Sequence, residues 1–351
     1  MNRRFHTGFA CAVLLTMAGL VGVNLASAGL SNWSSKSDAT WAAWAFRKKR
    51  DLIEREGSGR VVIVSGSNGL FGISAAELTR LTAHDTINAA THAGLPFELF
   101  DEELLRRLRP GDIALLPLES SLYLRQDQPD SLGVHVAHQV GLGYFHALGV
   151  AQKVDYLRLI EPGFVIGQYQ ESLSEDRARL LFDAVARTGY FRLGIDARGD
   201  VDLAEVVPDP RKVAAEAGPG PRTDVAETRA NQRAKRPPAG FVRKGAVICR
   251  SVRALVARGI RVIGTPDNVY IAAAAAIRAR QGVLESARAL YEGCGGEWVA
   301  PEGEGLQPLD RMYDTPLHLN QAGRRLRTFE LARALCEKAL ACPPGTFGKG
   351  D

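Results

Sequence analysis

Arg60-Val61-Val62-Ile63-Val64-Ser65-Gly66-Ser67-Asn68-Gly69 is the stretch whose reading decides the fold. Its continuous β-branched run has no polar face, which suits a parallel strand covered on both sides. The run stops in Ser65–Gly69, a tight turn. Ser74, with Glu77 three residues on, has the spacing of a helix cap for the segment 75–82, AAELTRLT. Residues 85–90 read as a second strand ending near Gly94. Residues 102–109 read as a helix stopped by Pro110-Gly111, and 112–118 as a third buried strand. Strand, helix, strand, helix, strand predicts a parallel α/β sheet with right-handed crossovers.

Toward the C-terminus the pattern resumes after an interruption. Residues 243–257 and 276–291 read as helices. Residues 261–264 read as a strand closed by the loop Pro266-Asp267-Asn268, 297–300 as the last strand, and 318–340 as a loop followed by a long amphipathic helix. Between the halves, 131–149 and 174–188 carry helical signals and predict a helical insertion. Residues 208–240 hold six of the seventeen prolines, seven Lys/Arg against four Asp/Glu, and no aromatic residue. That composition predicts a disordered, Pro-rich basic loop. The expected organisation is therefore 29–58 as connector, 59–207 with 241–342 as a single α/β domain, and 208–240 as the loop. Within the connector, Trp41, Trp44 and Phe46 beside Arg47-Lys48-Lys49-Arg50 read as a short surface helix that could rest on a membrane.

The chain has 351 residues, 46% hydrophobic and 24% charged, enough to bury a large core. The net charge of +5 is 44 basic minus 39 acidic residues. Residues 1–28 contribute +2 and the 208–240 loop +3, so the remainder is neutral and offers no basic face for nucleic acid. Arg3 and Arg4 precede 21 uncharged residues, Gly8–Ala28, ending in Ala26-Ser27-Ala28. This predicts a signal peptide or membrane anchor over 1–28. Cleavage and retention both remain open, and either one exports the rest of the chain. Beyond Cys11 there are four cysteines, Cys249, Cys294, Cys336 and Cys342. A Cys336–Cys342 bridge is expected, with four free thiols as the alternative. No Cys or His spacing predicts a zinc site. His135 and His138 share a helix face near His146, but no carboxylate joins them, so neither a metal nor a cofactor is expected.

Two segments carry chemistry. Ser67 follows a buried strand and precedes a helix, the place where open α/β sheets present their ligands. The loop Tyr313-Asp314-Thr315-Pro316-Leu317-His318 holds an acid and a base four residues apart. A serine nucleophile needs a base, and the base needs an orienting carboxylate. The candidate catalytic residues are Ser67, His318 and Asp314.

Together these segments resemble the SGNH (GDSL-like) hydrolase superfamily, over roughly residues 60–124 and 245–340. Ser67 matches that family's block I serine. Asp314 and His318 match its last block, continued by Leu319-Asn320 and Gly323, and Asn88–Gly94 resembles block II. The resemblance implies a three-layer α/β/α sandwich around a mostly parallel, flavodoxin-like sheet. It also implies an oxyanion hole from the N–H groups of Ser67 and Gly94, with Asn68 beside them. Three departures stand out. The block I Asp is absent, three residues rather than two separate Asp314 from His318, and Leu118-Glu119-Ser120 replaces the block III Gly-Xaa-Asn-Asp. With the N-terminal segment, these departures resemble the DltD-like and alginate O-acetylation proteins, which work with a membrane-bound O-acyltransferase.

The expected function is an extracytoplasmic, periplasmic serine esterase or O-acyltransferase acting on an acylated envelope glycan or small ester. A membrane-bound O-acyltransferase is the possible protein partner. His92, Glu119, Asp267 and Asn268 are candidate substrate contacts, and Arg324, Arg325 and Arg327 are expected to solvate a helix face. The alternative from another class is a non-catalytic envelope protein that binds a polysaccharide or a partner. A lipase-like enzyme is a third reading, kept open by the apolar 131–149 segment.

Overall fold

The computed structural model describes residues 3–30, 37–125, 128–172, 193–204, 206–217, 240–273, 280 and 282–347. The helical signal at 174–188, the start of the 276–291 helix and most of the predicted 208–240 loop lie outside these residues. In chain order the first elements are α1 (Arg3–Ala26), α2 (Ser37–Glu54), β1 (Val61–Ile63), α3 (Ser67–Gly72) and α4 (Ala75–Thr82). Next come β2 (Thr86–Asn88), α5 (Phe97–Glu103), β3 (Ile113–Leu116) and α6 (Ser120–Leu124). Then follow α7 (Ser131–Val140), α8 (Gly143–Ala147), α9 (Val150–Leu159), α10 (Pro162–Ser172), α11 (Pro210–Ala217) and α12 (Gly240–Ala257). The last are β4 (Arg261–Gly264), β5 (Val269–Tyr270), α13 (Val283–Gly293), β6 (Glu297–Trp298), β7 (Leu306–Gln307) and α14 (Gln321–Lys338).

Two compact units divide the chain, Met1–Trp44 with Gln128–Arg192, and Ala45–Asp127 with Leu193–Asp351. The second unit is α/β. Its central sheet has five parallel strands in the order β2-β1-β3-β4-β6. Val61 and Ile63 of β1, Leu115 of β3 and Ile263 of β4 share one apolar cluster with Leu78 of α4 and Leu331 and Leu335 of α14. The next residue along β4, Gly264, faces Tyr291 of α13 so closely that a Cβ would lie 2.6 Å from its ring. Neighbouring residues of a strand point to opposite faces, so helices cover both. This arrangement is compatible with a three-layer sandwich. β5 and β7 form a separate two-stranded parallel pair, which periodicity cannot reveal in two-residue strands.

The expected turn over Ser65–Gly69 is shorter, since Ser67–Gly72 coil into α3, whereas the expected cap forms: Ser74 accepts the Glu77 N–H at 3.2 Å at the start of α4. Asp200 reinforces that cap, accepting from Ser74 Oγ and Ala75 N, both at 2.8 Å. The helix expected over 102–109 lies earlier, as α5 and a single 3-10 turn at Leu105–Arg107. Phe97, Leu99, Phe100, Leu104 and Leu105 are all buried, and that apolar set fixes where the chain coils. Residues 210–217, expected to be disordered, form α11, whose Val213 packs with Met312 and Leu319. The basic run of α2 lies only partly at a surface: Lys48 is exposed, and Arg47 and Arg50 are half-buried. Phe46 and Lys49 are fully buried, and Lys49 Nζ donates to the carbonyls of Asn88 (2.7 Å) and Gly199. Burial lowers the Lys49 pKa to about 7, against the pull of Asp200 and Asp196. The expected Cys336–Cys342 bridge forms, and Cys249–Cys294 forms as well, joining α12 to the end of α13.

The first unit holds α1, the start of α2, and α7–α10. Leu14, Leu15 and Leu20 on α1 are 65–73% exposed. Among the described residues no helix is long and apolar enough to cross a membrane. After α1 the chain is held by His138, whose Nε2 meets Ser27 Oγ at 2.8 Å and whose carbonyl accepts the Gly29 N–H at 2.8 Å. Tyr156 Oη approaches His138 Nδ1 at 3.4 Å, and burial lowers this imidazole's pKa to about 4. His135 stacks on Phe164 with ring centroids 4.5 Å apart. Among the described residues no group of His, Cys, Asp and Glu is arranged to hold a metal ion.

Candidate active site

The Asp314–His318 segment is a closed loop. Met312 and Leu319 form an antiparallel bridge, and the Tyr313 N–H donates to the His318 carbonyl at 2.8 Å. Inside it the Thr315 hydroxyl accepts the N–H groups of Leu317 and His318, both at 3.2 Å. This winding takes up the third intervening residue. Asp314 Oδ1 then meets His318 Nδ1 at 2.8 Å, with both residues less than a tenth exposed. An ionised carboxylate only accepts, so Nδ1 is the donor in this bond, and in the neutral imidazole that tautomer leaves the lone pair on Nε2. Lys212 of α11 stands 3.9 Å from Asp314 Oδ2. A residue of the expected disordered loop therefore lies beside the carboxylate.

Ser67 opens α3 and is 7% exposed. Two neighbours on its short helix tie it to the His318 loop. Phe71 stacks on the His318 ring, with centroids 4.3 Å apart and planes 19° from parallel. The Asn68 amide Nδ2 donates to the carbonyls of Asn268 (2.7 Å) and Leu317 (3.3 Å). Asn268 Nδ2 also donates to the Leu317 carbonyl, at 2.6 Å. Two amides therefore grip the peptide that precedes the candidate base. Asn68 Oδ1 accepts from the Asn268 N–H and from Arg327 Nη1, both at 2.9 Å. Among the described residues no hydrogen bond joins Ser67 Oγ to His318. Catalytic hydrogen bonds in ligand-free enzymes are often long and tighten only around substrate.

Two of the three expected oxyanion donors have other partners. The Gly94 N–H donates to His92 Nδ1 at 2.9 Å, so it is turned into its own loop and His92 is its acceptor. The Asn68 N–H donates to Glu119 Oε1 at 2.8 Å. Of the expected group, only the Ser67 N–H lacks an acceptor among the described residues. The Asn88–Gly94 segment is nevertheless adjacent. A Cβ on Gly66 would lie 2.5 Å from Ala93 Cα and 2.5 Å from Glu119 Oε1, so only glycine fits this approach.

Three of the four expected substrate contacts are interior instead. Glu119, Asp267 and Asn268 are 1%, 2% and 0% exposed. Asp267 Oδ2 accepts the Ser120 N–H at 2.9 Å, and its Oδ1 pairs with Arg280 Nε at 2.9 Å. These groups hold the loops at the sheet's C-terminal end in place. Arg327 is also buried, contrary to the expected solvated face, and its Nη2 donates to the Pro266 carbonyl at 2.8 Å. Its spacing from Leu331, Ala334 and Leu335 places it on the inward face of α14, and that periodicity was the available signal. Phe71, which stacks on His318, and Asn268, which holds the Leu317 carbonyl, had no such signal. Phe71 meets His318 from the other end of the chain, and Asn268 acts with Asn68, 200 residues away in sequence.

No family model, no curated protein and no solved structure matches the chain.

Proposed function

We propose that the chain is a serine esterase or O-acyltransferase of the SGNH type, exported and working at the extracytoplasmic face of a membrane. The carrying observation is the Asp314–His318 pair, on a loop tied to the Ser67 turn through Asn68 and Phe71. In this reading Ser67 Oγ attacks an acyl ester as His318 Nε2 takes its proton. The leaving alcohol receives that proton, and a serine ester forms. Water or a glycan hydroxyl, deprotonated by the same imidazole, then attacks the serine ester and restores Ser67. Asp314 fixes the tautomer and stabilises the imidazolium. The Ser67 N–H is the available donor to the developing oxyanion.

The strand order β2-β1-β3-β4-β6 supports the finer fold assignment, since renumbered within the sheet it is the flavodoxin-like 2-1-3-4-5. The exposed leucines of α1 and the two disulfides support export, with the N-terminal segment serving as signal or anchor. The substrate class is an acylated envelope glycan or a small ester, with a membrane-bound O-acyltransferase as acyl source.

A second reading, a binding protein without catalysis, is favoured by one observation: the Gly94 and Asn68 N–H groups already have acceptors. Hydrolysis of p-nitrophenyl acetate by the full chain separates the two. Turnover lost in both Ser67→Ala and His318→Ala supports the enzyme. Turnover absent from the folded wild type, or unchanged in the variants, supports the binder.

A further inference from the structure

Glu119 occupies the place of the missing block III motif and is 1% exposed. Its Oε1 accepts the Asn68 N–H at 2.8 Å, and its Oε2 accepts the Gly66 N–H at 3.2 Å. Ser65 Oγ lies 3.4 Å from Oε2 while donating to the Pro117 carbonyl at 2.6 Å. One carboxylate thus holds the peptide N–H groups on both sides of Ser67. We infer that Glu119 is a positioning residue whose ionisation sets the shape of the Ser67 turn, giving the site a pH control separate from His318. This rests on the catalytic reading above.

An ionised carboxylate accepts both N–H groups in charge-assisted bonds. The protonated acid has a hydroxyl in place of one acceptor, so one N–H loses its partner and the turn relaxes. The surroundings place this change near neutrality. Burial raises the Glu119 pKa to about 7, reinforced by Asp267 and opposed by the N–H groups it accepts. Arg327 of α14 is the nearby cation that favours the ionised form. Its guanidinium is already committed to Asn68 Oδ1 and the Pro266 carbonyl. Arg280 is spent on Asp267. From α6, Tyr123 contributes a buried phenol held neutral far above the physiological range. On the block II side, His92 accepts from Gly94 and Arg125 donates to the Ala93 carbonyl at 3.4 Å. His318 reaches the turn through the Phe71 stack.

The test uses the full chain in two ways. The first is the pH dependence of fluorophosphonate labelling. Two groups must be unprotonated in the wild type, so the acid limb should fall with a slope approaching two. In Glu119→Gln, which cannot ionise, the slope should drop to one, with slower labelling throughout. Equal slopes in both proteins would overturn the inference. The second readout needs no reactivity. In Ser67→Ala labelled with 15N-glycine and 15N-asparagine, the Gly66 and Asn68 amide resonances should shift together through one near-neutral midpoint. Adding Glu119→Gln should abolish that shift, and adding His318→Ala should leave it in place. Amide resonances that do not titrate, or that follow His318, would refute the role of Glu119. A chain that shows the amide titration but never labels would refute the catalytic reading and leave Glu119 as the holder of the turn.

Discussion

Asn68 and Asn268 are hydrogen-bonded to each other twice: Asn68 Nδ2 donates to the Asn268 carbonyl at 2.7 Å, and the Asn268 N–H donates to Asn68 Oδ1 at 2.9 Å. The same two side chains hold the Leu317 carbonyl. The turn after β1, the loop after β4 and the His318 loop are therefore one hydrogen-bonded assembly. Asn68→Ala removes the hub and leaves Arg327 Nη1 without its Asn68 acceptor. Stability should fall by about 3 kcal/mol, since unsatisfied buried polar groups cost roughly 1–3 kcal/mol each, and more when charged. Urea unfolding measures the loss, and labelling of Ser67 should fall with it at denaturant concentrations where the variant is still folded.

Asp314→Asn keeps the size of the side chain but can present an N–H to His318 Nδ1. The imidazole then carries its hydrogen on Nε2 and cannot accept the serine proton. Turnover should fall by about 10⁴, the size of the effect in a comparable triad, with little change in the thermal midpoint. A loss below about tenfold would detach Asp314 from the mechanism.

Gly66→Ala tests the close approach of the Asn88–Gly94 loop. The added methyl would meet Ala93 Cα, a backbone atom that cannot swing aside. Overpacking of this kind costs about 1–3 kcal/mol. The displaced turn should also lose labelling more than the stability loss explains.

Stability should depend on pH through Lys49. Its amine is neutral above about pH 7 in the folded chain, whereas in the unfolded chain it stays protonated to its ordinary value of 10.5. Between those limits the unfolded state binds more protons, so stability rises with pH. Lys49→Met should flatten the rise, as measured by thermal unfolding across this range. Glu119 acts in the opposite sense. Its raised pKa makes the folded state bind more protons between its ordinary 4.5 and about 7, so stability falls as pH rises through that window. Glu119→Gln should remove the fall.

The two disulfides should differ in weight. Cys249 and Cys294 are 45 residues apart, Cys336 and Cys342 only 6. Loop-closure entropy assigns about 4 kcal/mol to the first and about 2 kcal/mol to the second. The double alanine variant of the first pair should lower the unfolding midpoint further than that of the second.

Much of the sheet was legible because its strands are unbroken apolar runs, as in Val61–Val64 and Ile113–Leu116. A run covered on both faces leaves no other reading of comparable strength. The Asp314–His318 relation was legible for a local reason: four residues of one loop carry both groups. What stayed hidden depended on distant parts of the chain. Glu119, Asp267 and Asn268 looked like substrate contacts because polar residues at strand ends usually face a cleft. Here Glu119 accepts from the backbone of the Ser67 turn, Asp267 holds the Ser120 N–H and Arg280, and Asn268 holds the Leu317 carbonyl. The Gly94 donor was misplaced for a similar reason, since nothing local shows that His92 Nδ1 takes its hydrogen. Residues 210–217 had the composition of a linker, yet Val213 finds an apolar site between Met312 and Leu319.

The central claim is that Ser67 is a nucleophile served by His318. The most direct measurement is peptide mapping of the full chain after reaction with a fluorophosphonate. The modification is expected on Ser67 alone, and absent from His318→Ala under the same conditions. A phosphonate found on another serine, or equal modification of Ser67 without His318, would contradict the claim.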